Sequence, residues 1–126
     1  MLQYDVEQRA GYLYVAVRGQ LSVDSAISTF REIMRAAVAR KQSKILLDCT
    51  GISGEWASSS RYAFGEFVAN EQRSAMGQLE ELPRVAIYAV APLYDPNRFT
   101  QVVTNNRGGR MRTSDSLQEL LSWLET

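Results

Sequence analysis

Residues 44–52 read KILLDCTGI and residues 53–67 read SGEWASSSRYAFGEF, and the passage from one to the other decides the fold. KILLDC is a short apolar run bounded by turn signals, the pattern of a strand buried on both faces. Beyond it the spacing predicts a helix over about 58–76, with Phe64, Phe67 and Val68 turned inward. A buried strand feeding a helix is the repeating unit of an α/β protein. Three serines, Ser58, Ser59 and Ser60, stand at the joint. They read as a nucleophile, as a phosphorylation site, or as the cap that starts the helix.

Working outward, LQYDVEQ and YLYVAV flank RAG and predict an antiparallel hairpin with Gly11 in its tight turn. Residues 23–40 place Ile27, Phe30, Met34 and Val38 at helical spacing behind Ser22, a plausible N-cap. PRVAIYAVA reads as a second buried strand, introduced by Pro83 and closed by Pro92. A third helix is expected after Asp95-Pro96, proline suiting a first turn, and carries Phe99, Val102 and Val103. NNRGG ends it, with Gly108 suited to the left-handed position past the helix. A short strand near RMRT then leads to a last helix capped by Ser114, whose apolar stripe is Leu117, Leu120, Leu121 and Leu124. The expected order is β-β-α-β-α-β-α-β-α: a mixed, mostly parallel sheet with right-handed crossovers and an antiparallel first strand at its edge.

At 126 residues the chain is expected to form one domain over 1–126. Fourteen cations balance fourteen anions, so no long-range field favours nucleic acid or an anionic membrane. No apolar run approaches the ~20 residues of a membrane span, and MLQYDVEQRAG is polar and alternating, unlike a secretory signal. The chain has no histidine, which removes Ser-His-Asp and Cys-His activation and every histidine metal site. Its lone Cys49 forms neither an internal disulfide nor a thiolate cage, and fits a reducing cytoplasm. The expectation is therefore a cytoplasmic protein with no catalytic residues, no metal and no cofactor.

The order of elements, with VAVRGQLSVDSA early and KILLDCTGIS in the middle, resembles the STAS and SpoIIAA-like families. The nearer likeness is to the SpoIIAA-like subgroup, which also resembles small CRAL-TRIO lipid-binding domains. GQL before the first helix, LLD ending the central strand, NRGGRMR and the terminal LLSWLE carry it along nearly the whole chain. The resemblance implies a SpoIIAA-like fold. Anti-sigma-factor antagonists of the STAS family also carry a DSSG-like motif whose serine a partner kinase phosphorylates. Ser58 and Ser59 lie closest to that serine, while Ala57 and Ser60 stand where the motif has its acidic residue and glycine.

For the serines, nucleophilic catalysis is the weakest reading. Lys41 and Lys44 precede the central strand and sit roughly 20 Å from its far end. Asp48 or Glu55 alone is a poor base for a hydroxyl. A phosphate on Ser58 or Ser59 would meet free N–H groups and the positive end of the helix dipole, with Arg61 within a turn. One serine as N-cap is the simplest account, contributing on the order of 1 kcal/mol, and it does not exclude modification.

A ligand or partner surface is expected from Asp48, at the carboxyl end of the central strand, with Trp56, Tyr62, Phe64, Tyr94 and Phe99; Phe67, Tyr88 and Leu93 are nearby apolar candidates. Gly65 leaves room for a ligand or for a close helix neighbour. Arg98, Arg107, Arg110 and Arg112 concentrate positive charge and read as a rim for a phosphate, a lipid head group or an acidic partner. The function expected is a binding or regulatory module with a protein partner, switched by serine phosphorylation. The alternative is a carrier or sensor of a small apolar or lipid-like ligand. No nucleic acid is expected; the edge hairpin permits a homodimer.

Overall fold

The computed structural model describes residues 2–126. Along the chain run β1 (Leu2–Arg9), β2 (Tyr12–Gln20), α1 (Val23–Ala39), β3 (Lys44–Ser53), α2 (Ser58–Ala75), β4 (Arg84–Tyr88), α3 (Phe99–Asn106), β5 (Met111–Ser114) and α4 (Leu117–Glu125). This is the order expected from the sequence. The five strands form one sheet in the order β1-β2-β3-β4-β5. β1 pairs antiparallel with β2, and every later pair is parallel. Right-handed crossovers along a sheet of sequential order place successive helices on the same face. α1, α2 and α3 accordingly cover one side, where Leu13, Val15, Ile45, Leu47, Val85 and Met111 meet Phe30, Ile33, Phe64 and Val68. α4 covers the other side and buries Leu120 and Leu124 on Leu46 and Ala86.

Local chemistry sets the element ends. The Ser22 hydroxyl accepts the Ser25 N–H at 3.1 Å and starts α1. The buried stripe of α1 is Ala26, Thr29, Phe30, Ile33, Met34 and Ala37, rotated slightly from the expected one, with Ile27 and Val38 at its margins. α3 ends in a Schellman turn: Gly108 has φ +86°, and the N–H groups of Gly109 and Gly108 donate to the carbonyls of Thr104 and Asn105. Val103 is buried there, but Val102 is 47% exposed rather than inward, because α3 packs only its Val103–Thr104 side on α2. α4 is capped by Ser116, not Ser114. Ser114 is buried and its hydroxyl accepts the Ser116 N–H while donating to Glu119.

β3 is longer than KILLDC. Ala16 pairs with Asp48 and Arg18 with Gly51, so Cys49 and Thr50 together face Val17 alone, a β-bulge. Past it Gly51–Ser53 continue beside Arg18–Gln20. The segment expected to be a loop thus finds its backbone partners in the end of β2.

Two polar devices tie the helices to the sheet. Gln72 of α2 is fully buried. Its amide donates to the carbonyls of Pro83 and Arg110 at 2.8 Å each and accepts the Arg110 N–H at 3.0 Å, pinning α2 to the starts of β4 and β5. The outer edge of β5 is occupied by α3. Asn105 accepts the Met111 N–H at 2.8 Å and donates to its carbonyl at 3.1 Å, while Gln101 accepts the Thr113 N–H at 2.8 Å.

Gly65 resolves in favour of a helix neighbour. A Cβ placed there would lie 2.9 Å from the Thr100 carbonyl oxygen and 3.1 Å from the Val103 side chain. In an ordinary helix Gly→Ala stabilises by about 1 kcal/mol. Here the backbone of α3 stands in the way, so G65A is expected to destabilise by about 2 kcal/mol instead. Chemical denaturation of the variant reads the sign directly.

Candidate functional site

A cavity of about 100 Å³ opens at the carboxyl ends of the parallel strands, between α1, α2 and the segment joining β4 to α3. Its walls are mainly apolar, including Phe30, Leu47, Trp56, Phe64, Leu93 and Phe99. Trp56 packs on Phe64 with ring centres 5.0 Å apart, and Phe64 meets Phe30 edge-on at 5.9 Å. The buried Nε1–H of Trp56 has no hydrogen-bond acceptor among the described residues. Such an orphaned donor costs about 1–3 kcal/mol.

Three charged side chains line the cavity, Arg61, Asp95 and Arg98, and each is already engaged. Arg61 lies 3.4 Å from the Asp95 carboxylate and donates to the Leu93 carbonyl. Both side chains of this pair are less than one-fifth exposed. Burial pushes the Asp95 carboxyl up, but N–H bonds from Phe99 and Asn97, with Arg61 beside it, outweigh that and hold it below the usual carboxylate range. Those two N–H bonds are also what starts α3. Arg61 is turned inward by this pair and does not stand free beside the serines.

The serines begin α2 as its first three residues, and none of them is its cap. The N-cap is Ala57, with extended backbone (φ −69°, ψ 161°) and no capping side chain. The capping account of Ser58–Ser60 is thereby overturned: the helix starts one residue earlier than a serine cap requires. Ser58 and Ser59 are exposed and Ser60 is half-buried.

Of the residues expected to form one surface, the fold brings Trp56, Phe64, Tyr94 and Phe99 to the cavity. Asp48 and Tyr62 are elsewhere. Asp48 sits on the opposite face of the sheet from Leu47 and Cys49, since side chains alternate along a strand. There it accepts from the Tyr14 hydroxyl at 2.5 Å and from the N–H and hydroxyl of Thr50. Burial raises the Asp48 carboxyl, the Tyr14 and Thr50 bonds outweigh it, and the net shift is downward. The same bond pushes the Tyr14 phenol up to about 12. Tyr62 is 40% exposed on the outer side of α2, under the Arg107 guanidinium. Phe67 packs on Phe30, and Tyr88 joins the α4 side of the sheet.

The four arginines do not form one anion-binding rim. Arg98 grips Glu119 with both Nη atoms, at 2.8 and 3.2 Å, and Arg112 reaches the same carboxylate at 2.8 Å. Arg107 pairs with Glu66 at 3.0 Å and hydrogen-bonds the Tyr62 hydroxyl. Arg110 is held through its backbone by Gln72. Three of the four are spent on carboxylates of α2 and α4: Arg107 on Glu66, and Arg98 and Arg112 on Glu119. The Glu119 carboxyl is held down to about 2 by hydrogen bonds from Arg98 and then Arg112. Cys49 lies in the cavity wall with its thiol pushed up to about 12 by burial.

The sequence reading missed the α1 wall (Ala26, Thr29, Phe30 and Ile33) as part of this site. Its signal was the i, i+3, i+4, i+7 spacing of those four residues. The Arg61–Asp95 pair carried no local signal.

No family model matches this chain, and no curated protein is matched in sequence. Among solved structures, the chain is similar to an anti-sigma factor antagonist from Mycobacterium paratuberculosis. That match covers 100% of this chain and 96% of the other at 13% identity, with a TM-score of 0.60. It is also similar to an uncharacterised protein of the DUF3478 family with a SpoIIAA-like fold from Shewanella loihica PV-4. There it covers 98% of this chain and 93% of the other at 19% identity, with a TM-score of 0.52.

Two stability measurements follow from the site. Ala57 already has N-cap backbone geometry, so A57D is expected to stabilise by about 1 kcal/mol and raise the melting temperature by roughly 4 °C. No gain would mean that the first turn of α2 is not formed as described. The second concerns Glu119, whose depressed pKa gives stability that is full above its unfolded value and lost as pH falls through about 2. E119Q should therefore lower stability at pH 7 and flatten the loss between about pH 5 and 2, as read by melting at stepped pH.

Proposed function

We propose that this chain, on its SpoIIAA-like fold, is a non-enzymatic regulatory module that binds a protein partner through the surface from Trp56 to Tyr62. Phosphorylation of Ser58 or Ser59 switches that contact. Residues 1–126 act in this as one domain, in the reducing cytoplasm that the lone Cys49 suits.

The observation that carries the reading is the uncapped start of α2. Ser58 and Ser59 are exposed in its first turn, with no side chain at the cap and no acidic residue in that turn. The first N–H groups of a helix lack intrahelical acceptors and lie at the positive end of its dipole. A phosphate there is tolerated by the fold and changes the local charge by up to about two units. With Arg61 committed to Asp95, the backbone N–H groups rather than that guanidinium would hold it. The likeness to an anti-sigma factor antagonist supports a protein as the partner. Binding rather than catalysis is supported by the separation of Asp48 from Glu55. The first is engaged on the α4 side of the sheet; the second is exposed in the loop before α2.

The test pairs two readouts. Phosphate is expected on Ser58 or Ser59 in the chain isolated from its own cells. S58D and S59D should melt no lower than the wild type, the dipole adding a few tenths of a kcal/mol. Each should retain the partner crosslinked to the wild type about tenfold less well, whereas K41A, at the other end of β3, should retain it fully. Unmodified serines together with equal retention by all variants would refute the reading.

A further inference from the structure

We propose that β1 is the interface through which two copies of this chain associate, running antiparallel about a twofold axis at Tyr4. This goes beyond the partner surface and does not rest on it.

The hairpin decides which backbone groups are available. Arg9 and Tyr12 flank a two-residue turn, so they exchange both backbone hydrogen bonds. The same holds for every second pair along the ladder: Glu7 with Tyr14, Asp5 with Ala16 and Gln3 with Arg18. The N–H and C=O groups of Leu2, Tyr4, Val6 and Gln8 therefore point away from β2. β1 ends the sheet, and among the described residues no other backbone bonds the main chain of Leu2, Tyr4 or Val6.

Charge selects the occupant and its register. A symmetric second copy bonded through these groups pairs even-numbered residues with even and odd with odd. Registers that pair most of Leu2–Arg9 are centred on Tyr4, Asp5, Val6 or Glu7. With Asp5 at the axis, two aspartates face one another. With Val6 there, Asp5 faces Glu7; with Glu7 there, two glutamates meet. Like charges directly opposite destabilise a sheet. The register centred on Tyr4 has none.

In that register β1 is complementary to itself. Leu2 and Val6 of one copy exchange backbone bonds with Val6 and Leu2 of the other, and the two Tyr4 residues bond each other. Leu2, Tyr4 and Val6 belong to the core beneath α1 or pack on it. The Leu2–Val6 and Tyr4–Tyr4 contacts extend that core across the axis, as apolar and aromatic cross-strand pairs. On the other side of the sheet the Gln3 amide meets the Asp5 carboxylate, which Arg18 holds at 2.6 Å.

The test uses the full chain alone. Sedimentation over a concentration series is expected to show a monomer–dimer equilibrium. Y4K sets two ammonium groups face to face and should weaken association about tenfold, whereas Q8K, outside the paired segment, should leave it unchanged. A cysteine scan reads the register separately, since the native Cys49 is buried. In Y4C, D5C, V6C and E7C the new thiol is the self-facing position of one register each. Y4C should form the interchain disulfide about tenfold faster than the others. A chain that stays monomeric at the millimolar concentrations of a nuclear magnetic resonance sample overturns the proposal, leaving the edge to another protein's strand or to water. So does equal association of Y4K and Q8K, or faster crosslinking at another position.

Discussion

The structure depends on one strand whose first half is buried on both faces. Ile45 and Leu47 of β3 lie in the core under α1 and α2, while Leu46 between them lies in the core under α4. A strand in this position gains on both sides, and a slip of one residue would exchange the two cores completely. Everything that follows is placed by that register. It sets Cys49 facing the cavity and Asp48 facing away, and it brings the chain out at Gly54 beside the start of α2. The bulge at Cys49–Thr50 then releases the constraint, letting the last residues of β3 follow β2.

Trp56 is the point where the cavity wall meets the start of α2. One face of its ring closes the cavity against Phe64, and two residues later the exposed serines begin. Because Gly65 lets α3 approach α2 almost backbone to backbone, α2 is backed by a rigid neighbour on one side and by Gln72 at its far end. Its first turn lacks such support: no side chain caps it. Within one helix, the supporting contacts are concentrated away from the first turn, the end that opens most readily.

The sequence was most readable where the signal was local. Ser22 as a cap, Gly108 at φ +86° and Gly11 at φ +85° each follow from one residue's stereochemistry. Periodicity gave the strand and helix order, because alternation and the 3.6-residue repeat need only a dozen residues to show. Several misreadings trace to partners outside any short window, such as Asp95 for Arg61 and Glu66 for Arg107. Serine is a good cap, but α2 begins at Ser58 and takes Ala57 as its N-cap. The arginine cluster was visible; Glu119 and Glu66, which neutralise it, were not. Trp56, Phe64, Leu93, Tyr94 and Phe99 were named as apolar candidates and line the cavity, while the α1 wall opposite them was legible only as a helix face, not as part of a site.

The amides of Asn105 and Gln101 on β5 give the sheet a polarity of growth. They act as a sixth strand made of side chains, bonding the backbone groups that β5 turns outward. Among the described residues β1, at the opposite end of the sheet, has a strand neighbour only on its β2 side. A sheet that can extend from one edge only cannot propagate. One copy added to β1 presents another sealed β5 at its far side, and the assembly closes at two. Sealing one edge in this way keeps the sheet from becoming a template for fibres.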